Sequence, residues 1–69
     1  MSNVLIKDDP AAELERLRAT NFFRDKPADQ TESGYLYSVA QREAQRFGVD
    51  DHLANHYVRI SAYARKVGA

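Results

Sequence analysis

Between Gly34 and Val67 two stretches of helical apolar periodicity flank a short break, Phe47-Gly48-Val49-Asp50-Asp51, and this pattern leaves few folds open. Before the break, Tyr37, Ala40, Ala44 and Phe47 recur at steps of three, four and three, with Leu36 and Val39 alongside. After it, Leu53, Tyr57, Ile60, Ala64 and Val67 recur at steps of four, three, four and three. Such spacings put each set on one side of a helix and describe two seams able to pack at a shallow angle. Gly48 suits the positive-φ residue that ends a helix, Val49 is placed to staple the corner, and Asp50 or Asp51 can cap the helix that follows. The expectation is an antiparallel helical hairpin over residues 34–67.

Upstream, Asp9-Pro10 opens a first helix, because Asp caps free N–H groups and Pro is tolerated at the first helical position. This helix is expected over residues 10–23, ending in helical form near Thr20 or Asn21. It has a narrow apolar side of Ala11, Leu14 and Leu17, and Glu13 and Glu15 stand ahead of Arg16 and Arg18 in the order that the helix dipole favours. Phe22 and Phe23 are the anchors that should hold it to the second half. Residues 24–33 are polar, contain Pro27 and lack apolar period, which reads as a loop; Thr31 or Ser33 can cap the helix beyond it. Residues 1–9 read as an N-terminal arm, with Val4-Leu5-Ile6 folding back on the core or clipping a partner. The fold class is all-α, in a single small domain spanning residues 1–69.

A core this size rarely yields more than about 3 to 5 kcal/mol of net stability. With no cysteine, neither a disulfide nor a thiolate metal site can add to it. Pairing as a homodimer through the hairpin seams is the expected remedy, using Leu36, Ala40, Ala44, Phe47, Leu53, Tyr57, Ile60 and Ala64. Ten Lys and Arg balance ten Asp and Glu, so no whole-chain field draws the protein to nucleic acid or lipid. No apolar run is long enough to span a membrane and the first residues do not form a secretory signal, so a cytoplasmic location is expected.

From Ala40 to Arg59 the chain resembles the helix-turn-helix segment of bacterial and phage repressors. The residues that carry this are Gln41-Arg42-Glu43-Ala44-Gln45-Arg46-Phe47-Gly48-Val49, with Leu53, Ala54, Tyr57 and Val58 as the apolar positions of a second helix. The resemblance implies a second helix in the major groove, with Asp50, Asp51, His52, Asn55, His56 and Arg59 toward the bases. Asp50 and Asp51 would then stand where phosphates approach, and the position before Ala44, usually apolar in that family, is Glu43. DNA binding through His52, Asn55, His56 and Arg59 is therefore the alternative rather than the leading expectation.

His52 and His56 lie one turn apart but lack a glutamate between them and further evident ligands, so no metal and no cofactor is expected. Ser33, Ser38 and Ser61 carry no nucleophile signature, no glycine-rich phosphate loop is present, and the chain is expected not to be an enzyme. All four tyrosines fall in the last two helices. Tyr37 and Tyr57 lie on the apolar stripes; Tyr35 and Tyr63 lie off them. Tyrosine and arginine are the residues of contact hot spots, which makes Tyr35, Tyr37, Arg42, Arg46, Arg59 and Tyr63 the candidate partner-binding set. In size and style the chain is similar to the small helical antagonists that phages encode against host regulators, such as anti-activators of quorum-sensing transcription factors. That similarity implies a larger host protein as partner, a transcriptional regulator among the candidates; an antitoxin or assembly role is a third expectation.

Overall fold

The computed structural model describes residues 9–69. Three helices and no strand occur among the described residues: α1 (Pro10–Arg18), α2 (Glu32–Phe47) and α3 (His52–Lys66). Val4-Leu5-Ile6 lies outside the described residues.

Each helix begins where the sequence placed a cap. The side chains of Asp9, Thr31 and Asp51 accept from the N–H groups of Ala11, Gly34 and Ala54, all at 3.0 Å. Each satisfies a donor that the first turn leaves without an intrahelical partner. Replacing Asp51 with alanine is expected to cost about 1 kcal/mol, read as a lower urea midpoint with unchanged slope. An unmoved midpoint would refute the cap.

Helix α1 stops at Arg18, short of the expected Thr20 or Asn21, and the chain continues in turns through Asp25. Thr20 drives this: its hydroxyl donates to the Leu17 carbonyl at 2.8 Å and accepts from the Phe22 N–H at 3.2 Å. Competition of a threonine side chain with helical bonding is enough to bend the chain. It delivers Phe22 and Phe23 inward, edge to face with each other at 5.0 Å between ring centres. Phe22 then meets Tyr35 of α2 and Tyr57 of α3 at 5.7 and 5.3 Å. Lys26 closes the following loop, its ammonium donating to the carbonyls of Gln30 and Pro27.

The core is Leu14, Leu36, Ile60 and Ala64, with Leu17, Phe22, Phe23, Tyr57, Tyr63 and Ala69 packed against it. Ala40 and Ala54 are also buried, which lets the backbones of α2 and α3 approach. These two helices pack against each other, and α1 packs against α3. At the end away from the corner, the Ser33 N–H donates to the Ala69 carbonyl at 3.2 Å and the Ser61 hydroxyl to the Ser33 carbonyl at 3.0 Å. Arg18 ties α1 to α2: its guanidinium grips Glu32 through Nε and a terminal nitrogen and also reaches Glu15. The fork onto Glu32 holds the Arg18 pKa above its ordinary value, the effect of burial being opposite and smaller.

Two expectations are corrected. Val49 is 79% exposed and staples nothing. The seam residues themselves divide: Leu36, Ala40, Ile60 and Ala64 are buried within the chain, whereas Phe47 and Leu53 are 63% and 43% exposed. Both stand beside the corner, beyond the core cluster of Leu14, Leu36, Ile60 and Ala64. On α2, finally, Tyr37 is half exposed, whereas Tyr35 is partly buried against Phe22 and Phe23. The apolar period alone could not say that two phenylalanines from α1's tail would cover the Tyr35 side.

Candidate functional site

Two open surfaces bring charged and aromatic side chains together. The first is a shallow hollow on α2 lined by Val39, Arg42, Glu43, Gln45 and Arg46. Arg42 and Arg46 stand one turn apart, both exposed, and neither enters an ion pair among the described residues. Arg46 lies over the ring of exposed Phe47 at 5.9 Å, a favourable cation–π position.

The second is a groove between α1 and α3 lined by Glu13, Arg16, His52, Leu53, Asn55, His56 and Arg59. Glu13 is its pivot. One oxygen of its largely buried carboxylate accepts from a terminal nitrogen of Arg16 and lies 3.5 Å from Nε2 of His56. The His56 ring is tilted against Tyr57 at 6.0 Å. Burial pushes the Tyr57 hydroxyl pKa up, the Glu43 carboxylate adds to this and Arg16 opposes it. Tyr57 thus marks where charges of α1 and α2 act on the middle of α3.

The candidate contact residues do not form one patch. Tyr37 is five residues from Arg42 and nine from Arg46, spacings that at 3.6 residues per turn place it on the other side of α2. Tyr35 belongs to the phenylalanine cluster and Tyr63 packs on the core, so each presents only part of its ring. Arg59 lies in the α1–α3 groove with His52, Asn55 and His56, the residues that the DNA-binding alternative singles out. Of that set His52, Asn55 and Arg59 are exposed, while His56 is partly buried beside Glu13.

Sequence reasoning placed Glu13 and Arg16 only as partners along α1; nothing in their spacing signals that they complete a groove with α3. Ser61 was likewise unsignalled as a tie, since its acceptor is 28 residues away. Ser38 donates to the Gly34 carbonyl, so both hydroxyls are engaged by backbone. Among the described residues no three His, Asp or Glu side chains are grouped to hold a metal, and no helix is long and apolar enough to cross a membrane.

Helices, core and surfaces define a small all-helical protein. No protein-family model matches the chain, and no curated protein or solved structure matches it.

Proposed function

We propose that the protein is a small regulatory binding protein that acts by contact, occluding a surface on a larger protein partner. The observation that carries this reading is the α2 hollow, where Arg42 and Arg46 stand exposed with no ion partner among the described residues and Arg46 lies over the exposed Phe47 ring. Arginine next to an exposed aromatic ring is the chemistry of an interface anchor: planar donors and a large ring that gain from being covered together. A host transcriptional regulator is the partner class that the similarity to phage-encoded antagonists favours.

In this reading α2 and α3 form an antiparallel hairpin, and two copies pair through its uncovered end. Phe47 and Val49 supply exposed apolar surface, and Leu14, Leu36 and Ile60 are the only large side chains fully buried among the described residues. A core so limited gains from burial against a second copy. Light scattering should give the mass of a dimer, and Phe47→Glu should shift it to a monomer. A wild-type monomer would remove the dimer from the proposal.

The second reading is a repressor-like DNA-binding protein, favoured by exposed His52, Asn55 and Arg59 on one side of α3. Against it stands the contact between the first turn of α2 and the end of α3 at Ser33 and Ala69. Two helices of 16 and 15 residues span about 24 and 22 Å, so opening them to the 90–120° of a helix-turn-helix would part those ends by tens of ångströms.

The experiment that ranks the readings is affinity capture from host lysate with mass spectrometry, comparing wild type with Arg42→Glu/Arg46→Glu. A captured protein lost with the double variant, its circular dichroism unchanged, supports the first reading; truncating one anchor to alanine should weaken the isolated complex about 5- to 30-fold. Tyr35→Ala is unsuited to this comparison, because removing a ring packed on Phe22 and Phe23 costs stability as well as contact. A salt-sensitive shift of duplex DNA from the gene's own upstream region, lost with Asn55→Ala, would make DNA binding primary.

A further inference from the structure

We infer that the α2 hollow takes an acidic helix of the partner, one that carries two carboxylates a turn apart and an aliphatic side chain a turn before them. This rests on the reading of the hollow as the contact surface and names what it contacts. The lining is Val39, Arg42, Glu43, Gln45 and Arg46. Arg42 and Arg46 stand one turn apart, a spacing at which like charges destabilise a helix. On α1 the chain cancels its arginines: Arg16 pairs with Glu13, and Arg18 with Glu15 and Glu32. On α2 it does not. Neither arginine has an ion partner among the described residues, although Glu43 is three residues from Arg46, and the charge of Glu43 acts on Tyr57 of α3.

The helix dipole accounts for one of the two arginines. Arg46 is in the last turn of α2, where a cation is favoured, but Arg42 lies a turn earlier, beyond the reach of that effect. Two guanidiniums against one carboxylate leave the hollow with excess positive charge, which carboxylates of a partner would complement. Arg46 is also held in advance, because its guanidinium lies over the Phe47 ring at 5.9 Å, and this lowers the cost of ordering it on contact.

The spacing selects a helix. Val39, Arg42 and Arg46 follow at steps of three and four, so they lie along one side of α2 and cover about 10.5 Å of its length. A helix laid alongside presents an aliphatic residue and two carboxylates with the same steps and rise. Three same-face positions of an extended segment cover about 13 Å, so its second carboxylate overshoots Arg46 by about 3 Å. Two other occupants fit less well. A second copy presenting the same hollow would set Arg42 and Arg46 against themselves. Nucleic acid carries a phosphate at every step and would meet Glu43 in the hollow and exposed Asp50 beyond Phe47, whereas a protein helix can place neutral residues there.

The probe is a fluorescein-labelled, alanine-based peptide of about 16 residues with a leucine and two glutamates at steps of three and four. Anisotropy titration with the full chain in low salt should show saturable binding that weakens as salt rises. Arg42→Ala and Arg46→Ala should each weaken it about 2- to 5-fold, and Glu43→Gln should tighten it about 2-fold. Arg42→Glu/Arg46→Glu should lose the glutamate peptide and bind its lysine counterpart, which the wild type does not bind. A merely structural role of the arginines would not produce that exchange. The inference is overturned by absence of binding in low salt, by equal binding of a peptide with the glutamates scrambled or with a central proline, or by tighter binding of single-stranded or duplex DNA. It is equally overturned if the exchange fails in a double variant with wild-type circular dichroism. Should that variant not fold, Arg42→Ala and Arg46→Ala decide, and wild-type affinity in both overturns it. Lysate capture separates this inference from the reading beneath it. Capture lost with the double variant while the peptide fails to bind removes the acidic helix alone; capture unchanged while the peptide binds removes the regulatory reading and leaves the chemistry of the hollow.

Discussion

Leu36→Ala is expected to leave a chain with no cooperative unfolding transition at room temperature. Leu36 is fully buried and sits in the cluster that joins all three helices, with Leu14 from α1 and Ile60 and Ala64 from α3. Truncating a buried leucine costs about 2 to 5 kcal/mol, because the lost transfer energy is joined by a cavity that the surroundings only partly fill. A core of this size supplies about 3 to 5 kcal/mol in all, so one substitution consumes most or all of it. Urea titration followed by circular dichroism is the measurement. Val49→Ala, at a side chain 79% exposed, should by contrast move the midpoint by no more than about 0.5 kcal/mol equivalent. If Leu36→Ala unfolds with the wild-type midpoint, the assignment of the core is wrong.

Gly48→Ala is expected to destabilise the protein by about 1 to 3 kcal/mol although the site is open. A Cβ at this position meets nothing within 4 Å, so crowding is not the cause. The cause is the backbone: Gly48 has φ +107° and ψ 157°, a region that L-residues other than glycine hardly enter. This conformation lets the Gly48 N–H close α2 on the Ala44 carbonyl at 2.7 Å while its own carbonyl accepts from the Asp51 N–H at 3.1 Å. Chemical synthesis offers a clean check, since D-alanine favours positive φ. D-alanine at position 48 should recover most of the stability that L-alanine loses. If both forms unfold alike, the strain argument fails.

What could be read in the residues was local. Asp9-Pro10, Thr31, Gly48 and Asp51 act through bonds to residues a few positions away, and each does what its chemistry dictates. The acid-before-base order of Glu13, Glu15, Arg16 and Arg18 likewise becomes two ion pairs within α1. Phe22 and Phe23 were legible as anchors because two adjacent large rings after a weakly apolar helix have no other way to leave water. Their destination was not. That Tyr35 is covered and Tyr37 is not depends on which side of α2 the rings reach, and a stripe of apolar residues broad enough to include both does not decide it.

The grouping of the candidate contact residues was the least legible. The tyrosines and arginines were singled out by type, but a helix turns 100° per residue, and neighbours in sequence such as Tyr37 and Arg42 face apart once the helix is formed. The α1–α3 groove combines Glu13 and Arg16 with residues about 40 positions later, and its components looked like ordinary helix charges until α1 was laid on α3.

From the residues alone follow the helical class, the caps and the glycine corner, because these rest on local bonds and on composition. Only the folded arrangement decides that α1 lies on α3, that Phe47 and Leu53 remain exposed, and that charges far apart in the chain meet around Glu13. The reason is physical: periodicity fixes which residues share a face, while the choice of partner for that face is made by long-range packing, for which a single sequence carries no spacing signal.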